Sequence, residues 1–413
     1  MSNSKGPKLD LMTLRRLPRG VWALGLVSLW MDISSEMIHA LLPVYLVTVM
    51  GTSMLAVGVI EGIAEATAAI TKVFSGALSD WLGKRKILAV VGYGLAAVTK
   101  PVFPLAPTVG WLVGARFIDR IGKGIRGAPR DALIADLSPA GLRGASFGLR
   151  QSLDTVGAFL GPLIAVFLMW LTSDNIPLVF WFAVVPAFIA VYLLITRVRE
   201  PERKSGVREV KAPLSWQELR FLGRPFWWVV VVASIFSLAR FSEAFLILKA
   251  NADGFSIGLV PVVIVIMNAF YMLAAYPAGV LSDSGGRLRV LVLGVALLIA
   301  ADLVFALLPG LFGVILGVAL WGLHMGFTQG VFASLVADTA PVELRGTAFG
   351  MLNLVTGLTI LLASIVAGGL WDAVGPEGTF LAGAGIAIFA LVAIIPLGRV
   401  LHRLRDSKQP AAD

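Results

Sequence analysis

Gly76-Ala77-Leu78-Ser79-Asp80-Trp81-Leu82-Gly83-Lys84-Arg85-Lys86-Ile87-Leu88 is a short polar stretch between two long apolar ones. Its order is G-x-L-S-D, then glycine, then basic residues and leucine. That order returns at Gly279-Val280-Leu281-Ser282-Asp283-Ser284-Gly285-Gly286-Arg287-Leu288-Arg289-Val290-Leu291. A second pair keeps the same displacement. Ala135-Asp136-Leu137-Ser138-Pro139, running on to Gly148, matches Ala337-Asp338-Thr339-Ala340-Pro341, running on to Gly350. Both displacements are about 200 residues, half the chain, and two separate motifs repeating at one spacing define a duplicated unit.

Of the 413 residues, 58% are hydrophobic and 14% are charged, whereas about a quarter are charged in a soluble domain. The apolar residues run in stretches of bilayer-spanning length. Lipid-exposed backbone must satisfy itself as helices or a closed barrel. Barrel strands alternate apolar and polar residues; Leu291 to Leu308 does not, so the spans are read as helices. They fall near 21–49, 55–78, 86–106, 109–136, 145–171, 176–197, 225–249, 257–281, 289–308, 311–338, 345–371 and 378–399. Connections at 50–54, 172–175 and 309–310 carry no Lys or Arg, while the alternate connections and both ends are basic. The positive-inside rule therefore puts both termini in the cytoplasm, which requires an even number of spans. The net charge of +9 is absorbed by that topology, and no nucleic-acid partner is expected. There is no cysteine, hence no disulfide or thiolate site. The first apolar stretch is too long for a cleaved signal core. The expected organisation is a tail at 1–20, a six-helix bundle at 21–197, a linker at 198–224, a second six-helix bundle at 225–401 and a tail at 402–413.

Charged groups inside spans are costly and default to a functional reading, turned to the interior. In the first span, Asp32, Ser35, Glu36 and His39 fall within an arc of about 100°. In the second, Glu61, Glu65 and Lys72 share a stripe about 40° wide, with Glu65 and Lys72 placed to pair. The fourth carries Arg116, Asp119, Arg120, Lys123, Arg126, Arg130 and Asp131 within about 140°. Arg150 and Asp154, four apart in the fifth, are placed to pair. The second half is poorer in charge: Arg240 and Glu243 in the seventh span, Asn268, Asp302, His324 and Asn353 beyond. Three scattered histidines supply no nucleophile–base set, and no phosphate-binding G-x-x-x-x-G-K-[ST] loop is present. Neither an enzyme nor a cofactor is expected.

The stretch at 76–88 resembles, in order and in place, the first conserved motif of the major facilitator superfamily of secondary transporters. Its copy lies between the eighth and ninth spans. The resemblance implies twelve helices in two pseudo-symmetric six-helix bundles, all-α and integral to the membrane, rocking about a central site. It implies a conformational latch at Gly76, Asp80, Gly83 and Arg85, with Asp283 and Arg287 in the copy. Arg116 resembles the arginine of the family's fourth-helix motif, associated with proton coupling. Arg120 departs from that pattern, standing where the family usually has glycine. Gly148, Gly157, Gly161 and Pro162 resemble the fifth-helix motif of antiporters, with Ala165 in place of a final glycine.

Together these readings predict a proton-coupled transporter that exports a small molecule. It is expected to be a monomer in the bacterial inner membrane, with protons, substrate and the lipid bilayer as its partners. Asp32, Glu36, Glu61 and Glu65 are the expected proton carriers, with Arg116 and Arg120 as counter-charges. In general, burial disfavours the charged form of a carboxylate and a nearby arginine favours it. His39, Asp119, Arg120, Lys123, Arg150, Asp154, Arg240, Glu243, Asn268, His324 and Asn353 are expected to line the cavity. An amphiphilic drug-like substrate is ranked first. A divalent metal or metal chelate comes second, because imidazole and carboxylates suit it and residues 32–39 are similar to efflux carriers grouped with nickel resistance. An organic anion comes third. The reading from a different class is a membrane receptor that does not transport.

Overall fold

The computed structural model describes residues 16–82, 84–139, 142–200, 219–341 and 344–406. No strand occurs among them. The first half comprises α1 (Arg19–His39), α2 (Met54–Leu82), α3 (Arg85–Thr99), α4 (Val109–Leu137), α5 (Arg143–Leu171) and α6 (Ile176–Arg197). The second comprises α7 (Arg224–Ala239), α8 (Val262–Gly285), α9 (Arg287–Leu307), α10 (Leu311–Thr339), and the helical run 345–406. Gly375, at φ 84°, breaks that run into α11 and α12; a left-handed φ of this kind suits glycine.

Ten stretches among the described residues are long and apolar enough to cross a membrane. Two facts bring the helices to the expected twelve. The stretch 347–401 is one of the ten and holds both α11 and α12, and α4 is too charged to qualify by composition. Most of the expected linker, 201–218, lies outside the described residues.

Two spans expected to be continuous are interrupted, at matching places. The first ends its regular turn at His39, restarts as Leu42–Val44 and closes as a π-turn over Tyr45–Val49. Pro43 lacks the N–H that would continue the helix. The seventh stops at Ala239 and resumes as Ala244–Ala252. Non-helical backbone at membrane depth survives only where protein satisfies it. Here the Ser242 N–H donates to Ser364 Oγ at 3.2 Å.

Small residues set how closely the helices approach. A Cβ on Gly157 would stand 2.7 Å from the Leu29 carbonyl oxygen, and one on Gly161 2.7 Å from Glu36 Cβ, so α5 lies against α1. Gly124 holds α4 on Thr71 and Ala68 of α2, and Gly326, its counterpart after the repeat, holds α10 on Ala274 of α8. The halves meet along α2 and α11, where Gly62 faces Leu361 and Gly357 faces Ala69.

At the end away from the chain termini the halves are shut. Asp372, at the close of α11, accepts hydrogen bonds from Met54 N at 3.0 Å and Leu55 N at 2.9 Å, the first N–H groups of α2. A carboxylate there satisfies orphan donors and the positive end of the helix dipole. Residues Ala40–Leu46 and Ala244–Leu248 beside it are buried. Of the polar side chains on the interior helices, Lys123, Gln151 and Gln329 keep solvent contact, from mid-helix toward the termini. The polar interior therefore faces the end of the bundle that carries the termini.

Candidate functional site: a charge network in the first half

The middle of the first half is built on α1, α2 and α4. Arg116 Nη2 donates to Glu61 Oε2 at 2.7 Å, with both side chains almost fully buried. Neither could face lipid, and pairing is what makes two buried charges tolerable. His39 stands between two carboxylates: Nδ1 is 3.2 Å from Glu36 Oε2, and Nε2 is 3.9 Å from Glu61 Oε2. One helical turn further along α4, Arg120 Nη1 meets Glu65 Oε1 at 2.9 Å. Glu65 therefore pairs with Arg120 and not with Lys72, as the shared stripe on α2 had suggested. The reason is steric: Gly124 and Gly127 let α4 close on α2, and Lys72 is drawn along Gly127.

Asp119, expected at the cavity, turns to α3 instead. It accepts from Lys100 Nζ at 2.8 Å, and Lys100 also donates to Ser35 Oγ at 3.1 Å. This buried pair ties α1, α3 and α4 together. Lys100 was missed by the sequence reading; its signal was a lysine before a proline at the end of an otherwise apolar span.

Nearer the termini, a second cluster links α1, α4 and α5. Arg150 Nη1 pairs with Asp154 Oδ2 at 2.7 Å, as their spacing had predicted, and approaches Asp131 at 3.8 Å. Arg130 reaches Asp131 at 3.1 Å, Asp154 at 3.9 Å and Ser28 Oγ at 3.0 Å. Asp32 forms no ion pair, although the charges of Asp154, Arg126 and Arg130 act on it. Arg126 packs its guanidinium over the Tyr93 ring, 4.8 Å from the centroid.

The second half places its expected residues differently. Arg240 and Glu243 sit in the α7 break and pair at 3.2 Å. Asn268 bridges the halves, donating to the Ala158 carbonyl of α5 at 3.1 Å. Asn353 is exposed on α11. His324 does not line the open interior: it is wholly buried, packed beside Trp321 and Phe236. The surrounding Phe241, Phe305 and Phe380 make this an aromatic core about His324. Asp302 is equally buried there, against Gly383.

The two repeated motifs prove to be contact partners. Arg85 Nη1 pairs with Asp136 Oδ2 at 2.5 Å and donates to the Ala132 carbonyl at 3.1 Å. Arg287 pairs with Asp338 and donates to the Ser334 carbonyl at 3.1 Å. Each half thus ties the start of its third helix to the end of its fourth. Gly83 and the side chains of Asp80 and Asp283 lie outside the described residues. Glu200 adds a cap, accepting from Arg85 N at 2.9 Å and Lys86 N at 2.7 Å. Gly148 faces open space, unlike its motif partners Gly157 and Gly161. Ser146, in the G-x-S-x-G string of α5, donates to the Leu142 carbonyl within a helix and is no nucleophile elbow.

Among the described residues no three His, Cys, Asp or Glu converge on a metal-sized point. Glu36 and Glu61 approach opposite ring nitrogens of His39, so the three cannot share one ion.

A duplicated bundle of membrane-length helices, with broken helices and buried charge at its centre, is the architecture of a polytopic membrane transporter. The profile of the Major Facilitator Superfamily matches residues 24–268 and 244–412, and the chain belongs to that family. It is 33% identical to an uncharacterised MFS-type transporter of Methanocaldococcus jannaschii over 384 residues, 91% of this chain and 94% of that one. Multidrug resistance protein 1 of Bacillus subtilis is 29% identical over 202 residues, 49% of this chain and 51% of that one. In fold, the chain matches a bacterial homologue of the human lysosomal transporter Spinster. The TM-score is 0.75 at 17% identity, covering 95% of this chain and 98% of that one.

Proposed function

We propose that the chain is a proton-coupled exporter of an amphiphilic small molecule, working by alternating access with both termini in the cytoplasm of a bacterial inner membrane. The observation that carries this reading is the buried Glu61–Arg116 pair with His39 set between Glu61 and Glu36. A proton arriving on Glu61 removes the charge that holds Arg116, so the guanidinium must seek another acceptor. Moving one buried charge demands that the helices carrying it rearrange, which couples protonation to the packing of α2 on α4. The fifth-helix glycines and the relative named for multidrug resistance support export over uptake.

The test is purified protein in sealed liposomes with a pH dye inside. A lipophilic cation, a divalent metal, a metal chelate and an amphiphilic carboxylate are added outside in turn. Proton movement with one class, lost in Glu61→Gln and in Arg116→Ala, is the expected result. Silence with every class would favour a non-transporting receptor.

A further inference from the structure

We infer that the first-half wall of the open interior is a seat for the acidic group of an amphiphilic anion, centred on Lys72 and Lys123. The inference deepens the transporter reading and rests on it for the site's purpose, though not for its chemistry.

Nearly every carboxylate on this wall is already engaged. Glu61 is held by Arg116, Glu65 by Arg120, Glu36 by His39, and Asp131 and Asp154 by Arg130 and Arg150. Asp32 alone among them forms no ion pair. At any of these carboxylates except Asp32, a cationic substrate would have to displace a base, leaving a buried charge without its partner.

The cations are in surplus. Lys72 and Lys123 are both exposed, and among the described residues neither ammonium makes a hydrogen bond or ion pair. Both sit on interior faces: Lys72 shares the α2 stripe of Glu61 and Glu65, and Lys123 shares the α4 face of Arg116 and Arg120. Exposed lysines on those faces meet water inside the bundle, since a charge does not face lipid. Their positions converge. Lys72 runs along Gly127, with Cε 3.6 Å from where a Cβ would stand. Lys123 is four residues, one turn, before Gly127 on the same helix. The charges of Asp131 and, more weakly, Lys123 act on Lys72, and that of Lys123 acts on Glu36 and Glu65.

A second, independent observation points the same way. The Nε groups of Arg116, Arg120 and Arg150 are buried without an acceptor, and Arg120 is 4% exposed. Among the described residues, only two buried carboxylate oxygens on this wall, Glu61 Oε1 and Asp154 Oδ1, lack a donor in turn. Donors in excess, two of them exposed ammonium groups, match a carboxylate, sulfonate or phosphate with its several acceptor oxygens.

The experiment is equilibrium binding of two probes of one shape and opposite charge, pyrenebutyrate and pyrenebutyl-trimethylammonium. They are titrated into the detergent-solubilised full chain, with empty micelles as background. The carboxylate should bind about tenfold or more tightly than the ammonium, a ratio worth about 1.4 kcal/mol. That preference should shrink at high salt, disappear in Lys72→Gln/Lys123→Gln, and survive in Lys72→Arg/Lys123→Arg. If the double variant does not fold, Lys123→Gln alone should cut the ratio by half or more. Equal binding of both probes, preference for the ammonium, or an unchanged ratio in folded glutamine variants overturns the inference. Binding requires neither flux nor proton movement. A carboxylate preference without any proton-linked flux would sink the transport reading and leave the seat standing. Proton-linked export of the cation without carboxylate binding would do the reverse.

Discussion

Arg116→Ala is expected to lower the stability of the folded bundle by about 3–5 kcal/mol and to abolish proton-linked transport. Removing one partner of a buried pair leaves the other charge uncompensated, which costs about that much. Arg116 and Glu61 are both nearly inaccessible and 2.7 Å apart, and Glu61 Oε1 has no other donor. The loss of stability and the loss of transport can be separated. Replacing the whole pair, Glu61→Leu/Arg116→Leu, removes both charges and should return most of the lost stability, as apolar replacements of buried pairs do. Transport should stay absent, because the pair whose protonation would shift the packing of α2 on α4 is then gone. Thermal unfolding of the three proteins, read beside vesicle flux, checks both statements. Stability within about 1 kcal/mol of the parent in Arg116→Ala would mean that water already reaches the pair.

Gly161→Ala is expected to be strongly destabilising, while Gly148→Ala, in the same motif, should be neutral or stabilising. The added carbon at 161 would stand 2.7 Å from Glu36 Cβ and 2.9 Å from the Ile33 carbonyl oxygen of α1. Backbone on the facing helix must move to admit it, and overpacking of this kind costs about 1–3 kcal/mol. At 148 nothing lies within 4 Å, so the gain in helix propensity, about 0.5–1 kcal/mol, acts alone. Parallel unfolding curves decide it: equal effects at the two sites would show that the seam between α1 and α5 is looser than these distances require. The contrast also divides the motif, with Gly157 and Gly161 packing the helices and Gly148 free of that duty.

Much of this was legible in the residues. The repeat at about 200 residues, the number of spans and the interior faces of α1, α2 and α4 follow from periodicity and composition. So does the pairing of Arg150 with Asp154, because a four-residue spacing on one helix leaves little choice. Partners between helices were another matter. Glu65 could be placed on a face, but whether it met Lys72 or Arg120 depended on how closely Gly124 lets α4 approach α2. Asp136 and Asp338 were plain in the second repeated motif, yet nothing along the chain says that the two motifs touch. No proline stands at the break that follows α7; its backbone is satisfied by Ser364, more than a hundred residues away. Asp372, the cap on α2, is likewise visible only once the halves are brought together.

Rocking of the two halves is the central claim, and the chain is suited to testing it. With no native cysteine, spin labels can be placed by single substitutions without background. One pair, at the exposed Leu82 and Leu281, reports the end that carries the termini; another, at Leu171 and Phe312, reports the end closed by Asp372. Distances between labels should be measured in lipid nanodiscs across about pH 5 to pH 8, the range over which an ordinary histidine changes its charge. The account predicts two distance populations for each pair, shifting in opposite directions as the pH changes. A single unchanging distance at both ends, or ends that widen together, would contradict it.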